Sequence, residues 1–335
     1  MSTGTPLSAS MLTIDAAQEA ARIETAIRDQ ILNRLRRKGA VLGISGGIDS
    51  SVVAALCVRA LGRERVLGLF LPELDSSDDS LRYGELLARR LRIDTRLEDI
   101  SPILTAAGCY RRRDDAIRSL VPEYGANWKC KLVMPDATTG ARYAISSLVV
   151  QSPEGNQKKV RLTAQAYSDI VAATNFKQRA RKMLEYYHAD RINYAVAGTP
   201  NRLEYDQGFF VKNGDGAADL KPIAHLYKTQ VYQLAAYLQI PQEIQQRPST
   251  TDTFSLPQSQ EEFYFSLPLD KFDLCLFGKN AGLSVATVAT AAGLTTQQVD
   301  RVFAAIDSKR TATRYLHFKP LLVEAVPEVD AQDAN

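Results

Sequence analysis

Residues 40–61 read AVLGISGGIDSSVVAALCVRAL, an apolar run that passes through a Ser/Gly-rich turn into a second apolar run. Residues 41–44 are short, apolar and bounded by glycine, the pattern of a fully buried strand. Residues 52–61 are apolar on nearly every face, which predicts a helix packed against a sheet. Between them, Gly46 and Gly47 permit backbone angles closed to other residues and let a ligand approach the chain. The unpaired N–H groups at the helix start point at such a ligand, and the helix dipole favours negative charge there. Ser45, Ser50 and Ser51 add hydroxyl donors. The stretch reads as an anion cradle, above all for phosphate. The dipole contributes roughly 0.3–1 kcal/mol, so a useful affinity needs further contacts.

The cradle is not a Walker loop, which needs Lys and Ser/Thr after its second glycine, where Ile48-Asp49-Ser50 stand here. It also lacks the G-x-G-x-x-G of a dinucleotide fingerprint. Asp49 is its informative member. A carboxylate repels phosphate unless a cation lies between them, and Mg2+ held by one or two carboxylates plus phosphate oxygens answers that need. The plainer reading is a tight strand-to-helix turn capped by Asp49 and Ser50, but a turn alone does not need this density of Ser and Gly.

The chain has 335 residues, 45% hydrophobic and 24% charged, an ordinary globular composition with room for a large α/β core. No apolar run approaches a membrane span, and the start lacks the basic and apolar stretches of a secretory signal. Cys57, Cys109, Cys130 and Cys275 form no C-x-x-C pair, so they read as free thiols in a reducing cytoplasm. A net charge of +3 is too small to argue for nucleic acid.

Residues 1–12 read as a disordered tail and 13–335 as one domain. A helix is predicted over 13–38, strands over 41–44, 65–71 and 94–100, and a helix over 80–91. Helical pattern returns over 164–188, with a strand over 192–197. Strands alternating with helices predict a doubly wound parallel sheet with helices on both faces, whose ligands bind beyond the carboxyl ends of the strands. Residues 105–165 break that rhythm as an insertion, a lid or interface element. Within it, 143–151 alternate and 152–156 (SPEGN) predict a β-hairpin turn. The run Arg111-Arg112-Arg113 reads as a solvated face. Residues 270–325 form a helical C-terminal region, in which 283–304 resemble a helix-turn-helix with Gly293 at the turn and Thr295 as N-cap. Its second helix carries too few cations for DNA phosphates.

Five segments together resemble the NAD synthetases of the ATP-pyrophosphatase family: SGGIDSS (45–51), NFKQRAR (175–181), GTPNRLE (198–204), FFVKNGDGAADLKPIAHLYKTQV (209–231) and RPSTTD (247–252). The resemblance implies ATP-dependent activation of the nicotinate carboxylate of deamido-NAD to an acyl-adenylate, then attack by ammonia to give NAD, AMP and pyrophosphate. It implies that Ser45, Gly46, Gly47, Asp49, Ser50 and Ser51 hold the pyrophosphate end of ATP, and that Asp49 and Glu204 are Mg2+ ligands. Lys228, Thr199 and Thr250 match further ATP contacts, with Asp49 and Lys228 in the catalytic roles. Arg179, Lys212, Asp219 and Lys309 match substrate contacts, although Ser308 stands where many members have His before that lysine. The 72–80 loop (Pro72, Ser76, Ser77, Ser80) would flank adenosine, and His188 and His225 read as structural.

Glutamine-dependent members of the resembled family carry a large glutaminase domain before the cradle; with the cradle at residue 45 none is expected here, so free ammonia is the expected donor, with a separate glutaminase subunit as the alternative. A homodimer follows from the resemblance alone. Three rival functions remain at this stage: a tRNA-modifying ATP pyrophosphatase, an amide ligase for a different carboxylate, and a non-catalytic nucleotide-binding module.

Overall fold

A computed structural model describes residues 9–134, 146–251 and 253–330. Of the expected tail, residues 1–8 lie outside these, while Ala9–Leu12 forms a 3-10 turn that buries Leu12. In chain order follow α1 (Ala16–Arg28), β1 (Ala40–Gly43), α2 (Ile48–Leu61), β2 (Val66–Phe70), α3 (Asp78–Leu91) and β3 (Asp94–Leu97). Residues 101–161, which take in most of the stretch read as an insertion, contribute α4 (Ser101–Ala106), α5 (Cys109–Arg118), β4 (Lys129–Val133), β5 (Ser147–Gln151) and β6 (Gln157–Arg161). The rest is α6 (Ala164–Ile192), β7 (Ala195–Val196), α7 (Arg202–Gln207), α8 (Lys228–Tyr237), α9 (Gln242–Gln245), α10 (Leu269–Asn280), α11 (Val285–Ala292) and α12 (Thr296–Thr313).

The central sheet has the order β3-β2-β1-β7, all parallel. Its strands alternate faces with period two. Ala40, Leu42, Val66 and Phe70 pack with α1, α2 and α8 on one side. Val41, Leu67 and Leu69 pack with residues of α4 and α6 on the other. Both faces are covered, as a parallel sheet requires. The chain winds outward from β1 to β3, then returns to the other flank of β1 as β7. That reversal is a switch point, and the crevice for a ligand opens there, between the turns that follow β1 and β7.

Three boundaries differ from the sequence reading. The first helix stops its α geometry at Arg28 and continues as a wider π turn over Asp29–Arg34. The third strand ends at Leu97 because Asp99 accepts the Ser101 N–H (2.8 Å) and starts α4. The seventh begins only at Ala195, since α6 runs to Ile192 and ends on left-handed Asn193.

This stretch folds as α4 and α5 on α6 beside a three-stranded antiparallel sheet, order β4-β5-β6. The hairpin turn falls at 152–156, closed by Ser152 N–H to the Asn156 carbonyl (2.9 Å); residues 143–145 lie outside the described residues. Strand β4 was not anticipated, because its lysines mask the alternation that buries Cys130 and Leu132. The triple arginine is a correction in part. Arg111 and Arg112 are exposed, but Arg113 is buried and ion-paired to Asp75 and Asp114. In the C-terminal region α11 ends on left-handed Gly293, and Thr295 caps α12 with Gln298 in a capping box. The pair buries Val288, Val299, Val302 and Ile306 against α10.

Candidate active site

A cavity of about 750 Å3 opens at the switch point, lined by the turns after β1, β2 and β7 and by α6, residues 248–251, Thr253 and the end of α12. Its volume suits a nucleotide-sized ligand. Gly46 takes φ +70, and a Cβ there would lie 2.5 Å from the Ser80 carbonyl oxygen, so the cradle's turn tolerates only glycine. Ser45 and Ser50 hydroxyls lie 3.1 Å apart and line the cavity. Ser51 does not. It is fully buried and donates to the Gly47 carbonyl (2.8 Å), closing the first turn of α2.

Asp49 meets Lys228 and Glu204 in this cavity. Lys228 Nζ bonds Asp49 Oδ2, and Asn201 Nδ2 donates to Asp49 Oδ1 (3.0 Å). Asn201 also caps α7 in a reciprocal box with Glu204, so the GTPNRLE segment delivers both partners to Asp49 by local capping geometry. Gln260 donates to Glu204 Oε1 (2.9 Å). Burial and the Asp49 charge push the Glu204 carboxyl up to about 8, against the opposing pull of Lys228. Burial opposes a charge on Lys228, yet Asp49 and Glu204 outweigh it and hold its ammonium above the ordinary lysine range. Lys228 is itself held by its backbone. Asp273 of α10 accepts the N–H groups of Lys228 (3.2 Å) and Thr229 (2.7 Å), capping α8 from another helix.

Thr199, Thr250, Arg179 and Lys212 line the same cavity, as do Pro72, Ser76, Ser77 and Ser80. Arg179 Nε donates to the Lys212 carbonyl (3.3 Å), and Lys212 Nζ to that of Tyr315 (3.0 Å). Lys309 sits one layer back. Its ammonium lies 4.2 Å from the Tyr264 ring centre and bonds the Tyr264 carbonyl, and burial brings it down to about 8. Ser308 is exposed on the same helix. His188 and His225 lie outside the cavity, on Glu98 (2.8 Å) and Glu19 (2.7 Å).

Asp219 stays outside this cavity, accepting the Val196 N–H (2.7 Å) and the Tyr186 hydroxyl (3.3 Å), because the chain turns there to run beside β7. The carboxylate of that loop which does line the cavity is Asp215, whose carboxyl is raised by burial and which accepts the Val211 N–H (2.7 Å). Sequence reading also passed over Arg247, although it opens the quoted RPSTTD. Its guanidinium donates to Ser80 Oγ (2.8 Å) and Ser77 Oγ (3.3 Å), and Nη1 lies 3.2 Å from the position of a Cβ on Gly46. A cation therefore stands against the cradle.

Residues 19–129 and 138–314 match the family model described as NAD synthase. The chain belongs to the NAD synthase family. It is 61% identical over 323 residues to the NH(3)-dependent NAD(+) synthetase of Rhizobium meliloti, covering 96% of each chain. It is 59% identical over 320 residues to the protein of that name from Rhizobium rhizogenes, again over 96% of each. The fold is shared with the NH3-dependent NAD synthetase of Campylobacter jejuni, solved with a nitrate ion, at a TM-score of 0.60 and 22% identity over 93% of this chain and 100% of that one.

Proposed function

We propose that this cavity carries out the NAD synthase reaction with the residues described above. The chain is a ligase that forms a carbon–nitrogen bond, amidating deamido-NAD to NAD with ATP and ammonia. The observation that carries the reading is the meeting of Asp49, Glu204 and Lys228 at the mouth of an SGGIDSS cradle.

A carboxylate is a poor electrophile because its leaving group is oxide. Attack by the nicotinate oxygen on the α-phosphorus of ATP breaks the bond to pyrophosphate and gives an acyl-adenylate. Ammonia then adds to the carbonyl, loses a proton, and AMP leaves with the oxygen that came from the carboxylate. The chain's part is to hold charge where it develops. The cradle's N–H groups, the hydroxyls of Ser45 and Ser50, and Arg247 receive the departing pyrophosphate; Lys228 faces the α-phosphate. Ser76, Ser77, Ser80 and Thr250 bound the adenosine side. Arg179 and Lys212 hold the nicotinate-bearing half, with Lys309 behind them, Asp215 beside them and Asp219 on the turn next to β7.

Asp49 and Glu204 fit a Mg2+ ion. Two carboxylates share one cavity with a lysine bonded to Asp49, and burial, with the Asp49 charge second, raises the Glu204 carboxyl. Among the described residues no third acidic, His or Cys side chain joins them, which suits an ion that completes its shell from phosphate oxygens. Bound there, Mg2+ would neutralise charge on the phosphates. A homodimer rests on the family alone. A reducing, cytoplasmic setting rests on four cysteines that are all free and buried, and among the described residues no helix is long and apolar enough to cross a membrane.

The test is to supply ATP, Mg2+, deamido-NAD and ammonium and follow NAD and AMP together. Equal yields of both, lost in Asp49→Asn, are expected. AMP without NAD, or NAD formation untouched by Asp49→Asn, contradicts the assignment.

A further inference from the structure

Three parts of the chain that no sequence pattern connects meet on one buried ammonium. Lys177 of α6 is 0% exposed, and its Nζ donates to Glu73 Oε1 (2.9 Å), Asp75 Oδ2 (2.6 Å) and the Thr253 carbonyl (2.7 Å). Those contacts use all three of its protons, and it does not line the cavity. Glu73 and Asp75 open the 72–80 turn, one wall of the cavity. Thr253 belongs with residues 248–251 to a second wall.

The insertion completes the network. Tyr110 of α5 donates its hydroxyl to Glu73 Oε2 (2.9 Å), and Arg113 of the same helix bonds Asp75. Glu73 in turn folds the serine turn back on itself, its N–H donating to Ser76 Oγ (3.1 Å) and its carbonyl accepting the Ser76 N–H (2.9 Å). The insertion also holds the segment that backs the second wall, where the Thr251 N–H donates to the Gln258 carbonyl (3.2 Å). Along the outer edge of β4, Cys130 N–H donates to Ser255 Oγ (2.9 Å), Leu256 N–H to the Cys130 carbonyl (3.1 Å) and Met134 N–H to the Glu262 carbonyl (3.1 Å). Gln258 bonds the Leu132 carbonyl at the same edge.

Burial raises the Asp75 carboxyl, but Lys177 and Arg113 outweigh it and hold the group below its usual range, so the carboxylate stays charged. Two buried anions and two buried cations add little stability over apolar side chains of the same volume. What they fix is geometry. We propose that the inserted unit is the frame of the ATP end of the cavity: Tyr110, Arg113 and β4 set its two walls, and Lys177 is the positioning residue that joins them. This rests on the assignment of those walls to ATP made above.

The deciding variant is Tyr110→Phe, which removes one hydroxyl and leaves the ion pairs intact; Lys177→Met is its stronger companion. KM for ATP, KM for deamido-NAD and kcat are measured for each, with ATP affinity by calorimetry in the absence of the other substrates. Tyr110→Phe is expected to weaken ATP binding roughly five- to tenfold, the size of the lost bond to Glu73 and the weaker one from the Leu74 N–H, with kcat and KM for deamido-NAD within about twofold of the parent, because the nicotinate contacts are untouched. Unchanged ATP affinity in the folded Tyr110→Phe protein overturns the proposal. So does an equal rise in both KM values, which marks general loosening. If Lys177→Met fails to fold, Tyr110→Phe decides alone. A parent protein that binds ATP but makes no NAD refutes the reaction and leaves this comparison of ATP affinities standing.

Discussion

Lys228 and Lys177 are both almost wholly inaccessible, at 2% and 0% exposure, yet their surroundings differ in kind. Lys177 spends its three protons on Glu73, Asp75 and the Thr253 carbonyl, away from the cavity. Lys228 lines the cavity, and Asp49 is the one hydrogen-bond partner of its Nζ among the described residues. A buried lysine with every donor used is a brace. One with donors left over, beside a carboxylate and facing a cavity, awaits an anion. Burial alone does not separate the two; the count of satisfied donors does.

Exchanging each for methionine should separate them experimentally. Lys228→Met is expected to lower kcat roughly 10²–10³-fold, the usual effect of removing a group that stabilises transition-state charge, with little change in denaturant midpoint because Asp49 opens onto the cavity. Lys177→Met is expected to destabilise by about 3–5 kcal/mol, since Glu73 and Asp75 are left buried with a partner missing, while kcat at saturating ATP stays within several-fold. Activity loss without Lys177 and instability without Lys228 would invert the comparison.

Arg247 sharpens the contrast at the cradle. Its contacts to Ser77 and Ser80 are those of a brace, but it stands where pyrophosphate leaves. Arg247→Ala should reduce kcat/KM for ATP by roughly ten- to a hundredfold, as for a charged hydrogen bond, and weaken product inhibition by pyrophosphate in parallel. If inhibition is unchanged, Arg247 is a brace after all.

Lys309 gives the smallest effect. Its folded value of about 8 lies below that of a free lysine, so the unfolded chain binds the extra proton between roughly pH 8 and 10.5 and stability rises with pH across that window. Below it the penalty of a buried charge is fully present. The melting temperature of Lys309→Met, referred to the parent, should fall from pH 8 to 10.5; a flat difference would mean the ammonium is solvated.

What the sequence disclosed follows from how locally each feature is encoded. The cradle, the GTPNRLE capping box and the alternation of strand and helix are written within about a dozen residues, and they reach the structure nearly intact. Arg113, Lys177 and Arg247 were misread or passed over because their partners lie far along the chain: Asp75 for the first, Glu73 and Thr253 for the second, Ser77 and Ser80 for the third. Nothing near Arg113 in the sequence says that one arginine of three turns inward. Asp215 and Asp219 show the limit within a motif. Both stand in one Gly/Asp loop, and only the path of the backbone alongside β7 decides which faces the cavity and which ties down Val196.

The most direct test of the central claim is to follow oxygen. Deamido-NAD labelled with ¹⁸O in its nicotinate carboxylate is converted with ATP and ammonium, and the AMP is examined by mass spectrometry. Attack of the carboxylate on the α-phosphorus predicts one labelled oxygen in each AMP. Unlabelled AMP, with the label in inorganic phosphate, would place the attack at the terminal phosphate and contradict the assignment of the Lys228 and Asp49 site.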